Sequence, residues 1–114
     1  MTVAKIDPAT EHAARAFLAR VLLQFDLVGA ILFGSRARQD FRPDSDADVA
    51  VLLRGRPGKF LPTKLELADI AYDVLLETGI RVQAFPIWEE EWAHPERHSN
   101  PRLLHNIEHE GVRL

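Results

Sequence analysis

Two aspartates, Asp46 and Asp48, stand two residues apart at the head of an apolar run, and Gly34-Ser35 closes another such run ten residues earlier. Each pair has a physical use. In an extended strand, positions two apart point to the same side. Asp46 and Asp48 thus set two carboxylates side by side, where they repel until a hard divalent cation relieves them. Magnesium takes a few carboxylates and completes its shell with phosphate oxygens, so the pair suits a metal that arrives with a phosphate ligand. Two such ions can assist an in-line phosphoryl displacement. Gly34 has no Cβ to hold off a phosphate. A strand that runs into Gly-Ser and then a helical start offers backbone N–H groups to an anion, and Ser35 adds a hydroxyl donor.

These residues need elements to hold them. The apolar runs Val28 to Phe33 and Ala47 to Leu53 read as strands. In the second run, Ala47, Val49, Val51 and Leu53 form the apolar side, so the two aspartates belong to the opposite, accessible side. Between the runs, residues 36–45 are polar, and Pro43-Asp44-Ser45 reads as a turn. Ahead of the first strand, Asp7 suits an N-cap and Pro8 a first helical position. Ala14, Phe17, Leu18, Val21, Leu22 and Phe25 follow at helical spacing. After the second strand, Arg54-Gly55-Arg56-Pro57-Gly58-Lys59 reads as a basic loop. Pro62 can open a further helix that ends before Gly79. Ile80 to Phe85 reads as a third strand stopped by Pro86. Trp88 to Trp92 forms a helical turn, and a last helix covers Pro101 to His109 with Ser99 or Asn100 as its cap and Gly111 beyond its end. The order helix, strand, strand, helix, strand, helix predicts an α+β fold: a small mixed β-sheet with helices on one face.

Composition narrows the classes of function. The 114 residues suit a single domain, residues 1–114, and 46% hydrophobic with 27% charged residues is a globular balance. The absence of cysteine excludes disulfides and thiolate metal sites. No apolar run is long enough to span a membrane and no basic-then-apolar leader opens the chain, so a cytoplasmic location with no membrane partner is expected. A formal charge of −3 without a basic tract argues against strong nucleic-acid binding, although Arg36, Arg38 and Arg42 form a local basic patch that could serve a triphosphate.

Gly-Ser, ten residues, then Asp-x-Asp, each at the end or start of an apolar strand, resembles the signature of the polymerase-β-like nucleotidyltransferases. Over nearly its whole length the chain is similar to the minimal nucleotidyltransferase (MNT) branch. Either half of the motif alone would read as an ordinary turn glycine or a solvated acidic strand end; the two at this spacing are far more specific. The resemblance implies transfer of a nucleoside monophosphate, commonly AMP from ATP, to a hydroxyl with release of pyrophosphate. It implies magnesium or manganese on Asp46 and Asp48, which serve as the catalytic residues by holding the metal. Gly34, Ser35, Arg36 and Ser45 become the nucleotide-binding positions. It also implies a partner. Proteins of this kind and size are commonly antitoxins that adenylylate a tyrosine of a neighbouring HEPN-domain ribonuclease toxin, in homo- or hetero-oligomeric assemblies.

Active members of the superfamily usually carry a third carboxylate on a later strand. Here the matching position is Gln83, across from the apolar side formed by Ile80, Val82 and Ala84. A glutamine oxygen ligates a metal weakly and cannot take a proton as a general base. Glu89, Glu90 or Glu91 is the nearest acidic substitute in sequence, although such a run is ordinarily a solvated face. Alternatives to the transferase are a binding module that silences its partner by contact, and a transferase acting on a small-molecule hydroxyl. Two histidine pairs, His94 with His98 and His105 with His109, have helical metal-ligand spacing, but a zinc site needs three or four convergent ligands and a surface role is expected. Trp88 and Trp92 are expected on one helical face that closes the core at the sheet edge.

Overall fold

The computed structural model describes residues 6–114. Its first helix, α1 (Pro8–Val21), starts where the capping pattern says: Asp7 accepts from the Thr10 N–H, with Pro8 at the first helical position. Strand β1 (Leu27–Phe33) follows, then a single turn of helix, α2 (Ser35–Arg38), and strand β2 (Ala47–Leu53). Helix α3 (Phe60–Thr78) crosses over to strand β3 (Val82–Trp88). Helices α4 (Glu89–Ala93) and α5 (Pro101–Glu110), separated by a 3-10 turn at Pro95–Arg97, lead to the short strand β4 (Val112–Arg113). The sheet order is β3-β2-β1-β4; β2 runs antiparallel to β1 and parallel to β3, so the sheet is mixed as expected.

The alternation along β2 sorts the molecule into two cores. Ala47, Val49, Val51 and Leu53 point to one face and meet Ala30 and Leu32 of β1, Val82 and Ala84 of β3, Phe17 and Val21 of α1, and Leu67, Ile70 and Val74 of α3. Ala50 and Leu52 point the other way, where they join Ile31, Phe33 and Ile87 under Leu104 and Ile107 of α5. The long helices therefore share one face, but the expectation of helices on that face alone is corrected by α5. Its few apolar side chains carry a narrow stripe, and Ala50 and Leu52 of β2, with Ile31, Phe33 and Ile87, are too apolar to be left to water.

Other boundaries moved for identifiable reasons. Helix α3 begins at Phe60 rather than Pro62; the proline falls in the first turn, where its missing N–H has no helical partner to lose. Gly79 ends α3 in the left-handed conformation, φ 80°, as expected. Pro86 does not stop β3. The Ala47 N–H donates to the Arg81 carbonyl, so odd-numbered residues of β3 bond to β2 and Pro86 turns its nitrogen outward on an edge strand, where no donor is required. Trp88 and Trp92 lie on opposite faces: Trp88, 7% exposed, packs in the core under α1 and α3, while Trp92 packs against the α5 core. Trp88 is still strand when α4 begins, so helical spacing does not govern the pair. Strand β4 has only two residues and no apolar periodicity to announce it; it pairs with Ile31 and Leu32 of β1.

Ile107 is fully buried and is a main contact of α5 with the sheet. Ile107→Ala is expected to lower the unfolding free energy by about 2–4 kcal/mol, read from urea denaturation with the slope unchanged.

Candidate active site

The topology brings four chain segments to one edge of the sheet. The C-terminal end of β1, the N-terminal ends of β2 and β3 and, through β4, the C-terminal end of α5 all lie there. Phe33 of β1 stands opposite Asp48 of β2, and Asp48 stands opposite Gln83 of β3. Directly paired residues share a face, so Asp48 lies between Phe33 and Gln83 on the α5 side, and Asp46 stands just ahead of the strand, close enough for its charge to act on Asp48. The apolar side of β2 is the anchor that forces this orientation.

Gly34 follows β1 with φ 76° and ψ −159°, a backbone region open almost only to glycine. A Cβ there would also overlap the Asp48 carboxylate oxygen Oδ2. Glycine is thus required twice, once for the backbone turn and once for the approach of Asp48. The expected nearness of Gly34 to the acids is a real contact. Ser35 opens α2 and is half-buried; its carbonyl accepts from the Asp40 N–H, which closes the turn after α2. Gln39 ends α2 in the left-handed conformation, φ 65°.

Asp46 and Asp48 are both half-buried. Burial, then the charge of Asp46, then that of Glu110 push the Asp48 pKa up to about 6, against the partial relief of Arg38. A carboxyl raised in this way is stabilised as the neutral acid, and a divalent cation shared with Asp46 would reverse the effect. Among the described residues, no three carboxylate or imidazole groups stand together as a metal-ligand set.

Arg36 does not stand in the site. It is 2% exposed, and its Nε donates to the Ser45 carbonyl, its Nη2 to the Pro43 carbonyl and its Nη1 to the Thr10 hydroxyl, while the guanidinium lies 4.6 Å from the centre of the Phe41 ring. The expectation that it contacts nucleotide is corrected: it braces the loop of residues 39–45 against α1, because a short polar loop over a core must find donors for its own carbonyls. Ser45 belongs to the same brace, its hydroxyl accepting from the Arg42 N–H. Arg38 is the arginine that faces the site. It is exposed, and it meets Asp40 through Nε at 3.2 Å and both Glu110 oxygens through Nη1 at 3.2 Å. Asp40 first, then Glu110, raise its pKa further above the ordinary arginine value.

Glu110 is the residue that sequence reasoning missed. Its Oε1 accepts from the Gly34 N–H at 3.2 Å. Nothing in the sequence marks it, because it lies 76 positions from Gly34 and is carried there by α5. Glu89, Glu90 and Glu91, by contrast, cannot serve as a third acid. They begin α4 at the far end of β3, where Glu89 accepts from the Gly55 N–H, Glu90 pairs with Arg97 and Glu91 accepts from the Trp88 N–H. Of the histidine pairs, His105 and His109 meet edge-on, Nε2 to Nε2 at 3.1 Å, on an exposed surface, and the 3-10 turn separates His94 from His98.

Beside Asp46, toward the open edge of β3, lies a cleft of about 270 Å³. Gln83 and Arg81 of β3 and Lys64 and Tyr72 of α3 line it. The glycine turn, the paired acids and the cleft are therefore met in that order across the sheet from β1 to β3.

A mixed sheet that presses paired carboxylates against a glycine turn defines a class, the small α+β domains whose site combines an anion-binding turn with cation-binding acids. The chain belongs to the nucleotidyltransferase domain family, which it matches over residues 15–111. A solved structure from Sulfolobus solfataricus, described as a candidate nucleotidyltransferase, is 21% identical with a TM-score of 0.42, over 98% of this chain and 90% of that one. No curated protein matches the chain significantly.

Two outcomes test this geometry. In metal-free buffer at pH 7.5, Asp48→Asn is expected to raise the melting temperature. The folded protein holds the Asp48 proton to about pH 6, whereas the unfolded chain, with an ordinary carboxyl near 3.8, releases it earlier. Wild-type stability therefore falls as pH rises through that window, and the advantage of the amide should vanish by pH 4. Arg36→Met should cost about 2–4 kcal/mol of stability, since it leaves buried acceptors without donors, and calorimetry should detect the loss whether or not nucleotide is present.

Proposed function

We propose that this protein transfers AMP from ATP, with magnesium or manganese, to a hydroxyl of a partner protein in the cytoplasm, and that the partner is a HEPN-type ribonuclease toxin which the modification silences. The observation that carries the reading is the contact between Gly34 and Asp48. The same glycine turn that can admit a phosphate touches one of two adjacent carboxylates, so phosphate and cation would meet at one point. Asp46 and Asp48 would hold the metal; burial first, and the Asp46 charge second, raise the pKa of Asp48, and a divalent cation would relieve both. When bound, that metal draws charge from the phosphates. Gly34 and Ser35 would orient the triphosphate, with the leaving pyrophosphate toward β1 and the acceptor toward the cleft at β3.

Two features favour a protein acceptor, and a phenol in particular. The cleft, about 270 Å³, is smaller than the roughly 300–1,000 Å³ usual for small-molecule sites. Gln83, across from Asp48, can hydrogen-bond an incoming hydroxyl but cannot take its proton. Tyrosine, with an ordinary pKa near 10, depends least on such a base among the hydroxyl side chains.

Gln83 also favours a second reading, in which the domain has lost turnover and silences its partner by contact. Labelled ATP decides between them. Purified protein with magnesium and a co-expressed HEPN partner should label the partner, and Asp46→Ala with Asp48→Ala should remove the label. If the wild type leaves the partner unlabelled with every nucleotide and divalent metal tried, yet still binds and silences it, the transfer reading fails.

A further inference from the structure

Glu110 is the last residue of α5, the end at which a helix presents its carbonyl oxygens and disfavours a negative side chain. It also stands close enough to Asp48 for the two charges to act on each other. Local helix electrostatics and the charge of Asp48 thus both oppose a carboxylate here. What holds it is a set of donors from another part of the chain: the Gly34 N–H on one oxygen and the Arg38 Nη1 on both. The arrangement, an oxygen anion gripped by a backbone N–H and a guanidinium, is the arrangement a phosphate oxygen takes in an anion site. A local conflict of this kind that only a distant partner relieves is expected at functional positions.

We infer that Glu110 occupies the place of a substrate phosphate, and that a bound triphosphate exchanges its own oxygen for the Glu110 carboxylate at the Gly34 N–H and the Arg38 guanidinium. The inference rests on the nucleotide reading above and extends it by giving Glu110 a part in the entry of the triphosphate. The exchange needs only a side-chain rotation. The Glu110 side chain is 32% exposed, and its backbone is pinned on both sides. Gly111, next in the chain, sits so close to the Ile107 carbonyl and Ile31 Cγ2 that a Cβ would overlap both. Beyond it, β4 is paired to β1 and the Leu114 N–H donates to the Ala30 carbonyl. The end of α5 therefore stays in place while the carboxylate swings out to solvent.

The consequence is selectivity for charge. A ligand must replace an anion already in the nest, so a single phosphate gains little, while a polyphosphate that also carries a metal to Asp46 and Asp48 gains both contacts. Glu110 acts as a positioning residue that sets the threshold for entry.

The test uses inorganic tripolyphosphate with magnesium, titrated by calorimetry into the full chain, with the Gly34 amide followed by 1H–15N NMR and melting temperatures measured alongside. Wild type should bind tripolyphosphate more tightly than orthophosphate, with the Gly34 amide shifting on binding. Glu110→Gln keeps an acceptor for Gly34 but loses the charge; it should bind both anions about two- to fivefold more tightly, the scale of one solvent-exposed ion pair. Arg38→Met should weaken tripolyphosphate binding. If Glu110→Gln and Glu110→Ala bind tripolyphosphate no more tightly than wild type and merely melt earlier, Glu110 is only a tie for α5 and the inference fails while the nucleotide reading stands. If neither tripolyphosphate nor ATP with magnesium binds wild type or Glu110→Gln, the nucleotide reading fails and this inference with it.

Discussion

The repulsion between two carboxylates at the head of the central strand is the constraint around which the rest of this molecule is arranged. Asp46 and Asp48 are half-buried side by side, a placement that raises the pKa of Asp48 to about 6. An extended strand alone does not hold such a pair; it must be anchored from behind. Ala47, Val49, Val51 and Leu53 supply the anchor, all of them buried under α1 and α3. Rotating the strand to relieve the acids would expose four core side chains, of which Val49, Val51 and Leu53 are each worth about 1.5–3 kcal/mol of burial. The hydrophobic term wins, and the acids stay where they are.

The surroundings then divide into groups that deepen the strain and groups that relieve it. Glu110 adds a further negative charge, while Arg38 supplies the opposing positive one. Gly34 lets the Asp48 carboxylate come up against the backbone turn, which no residue with a Cβ would permit. The neighbouring loop is held apart from this electrostatic problem. Arg36, although it is the arginine next to the glycine turn in sequence, points inward and supplies the Ser45 and Pro43 carbonyls with donors. A guanidinium with several donors in a fixed fork suits the closing of a loop as well as it suits phosphate. The two neighbouring arginines have divided these tasks between them.

Sheet direction separates the site from the remaining charge clusters. β2 and β3 are parallel, so their N-terminal ends share an edge, and β1 returns its C-terminal end to the same edge. Everything after the C-terminal end of β3 starts at the opposite edge, which is why the acidic run Glu89 to Glu91 caps α4 and steadies Gly55. Helix α5 then carries the chain back across the second face, and Glu110 arrives beside Gly34. Glu110 thus reaches the Gly34 N–H and the Arg38 guanidinium by a route different from the strand on which Gln83 sits.

Much of this was legible from the order of residues alone. Strand β2, the cap of α1 at Asp7 and the end of α3 at Gly79 all follow from local periodicity and backbone chemistry, which act over a few residues. Nucleotidyltransferase family membership was legible for the same reason, since Gly34-Ser35 and Asp46-x-Asp48 lie within fifteen positions. Tertiary structure alone decided the second cover over the sheet, the separation of Trp88 from Trp92, the inward turn of Arg36 and the outward one of Arg38, and the arrival of Glu110. Each depends on which surfaces far apart in the chain must be hidden from water or given a hydrogen-bond partner. No local pattern encodes that; it is settled only when the whole chain has closed on itself.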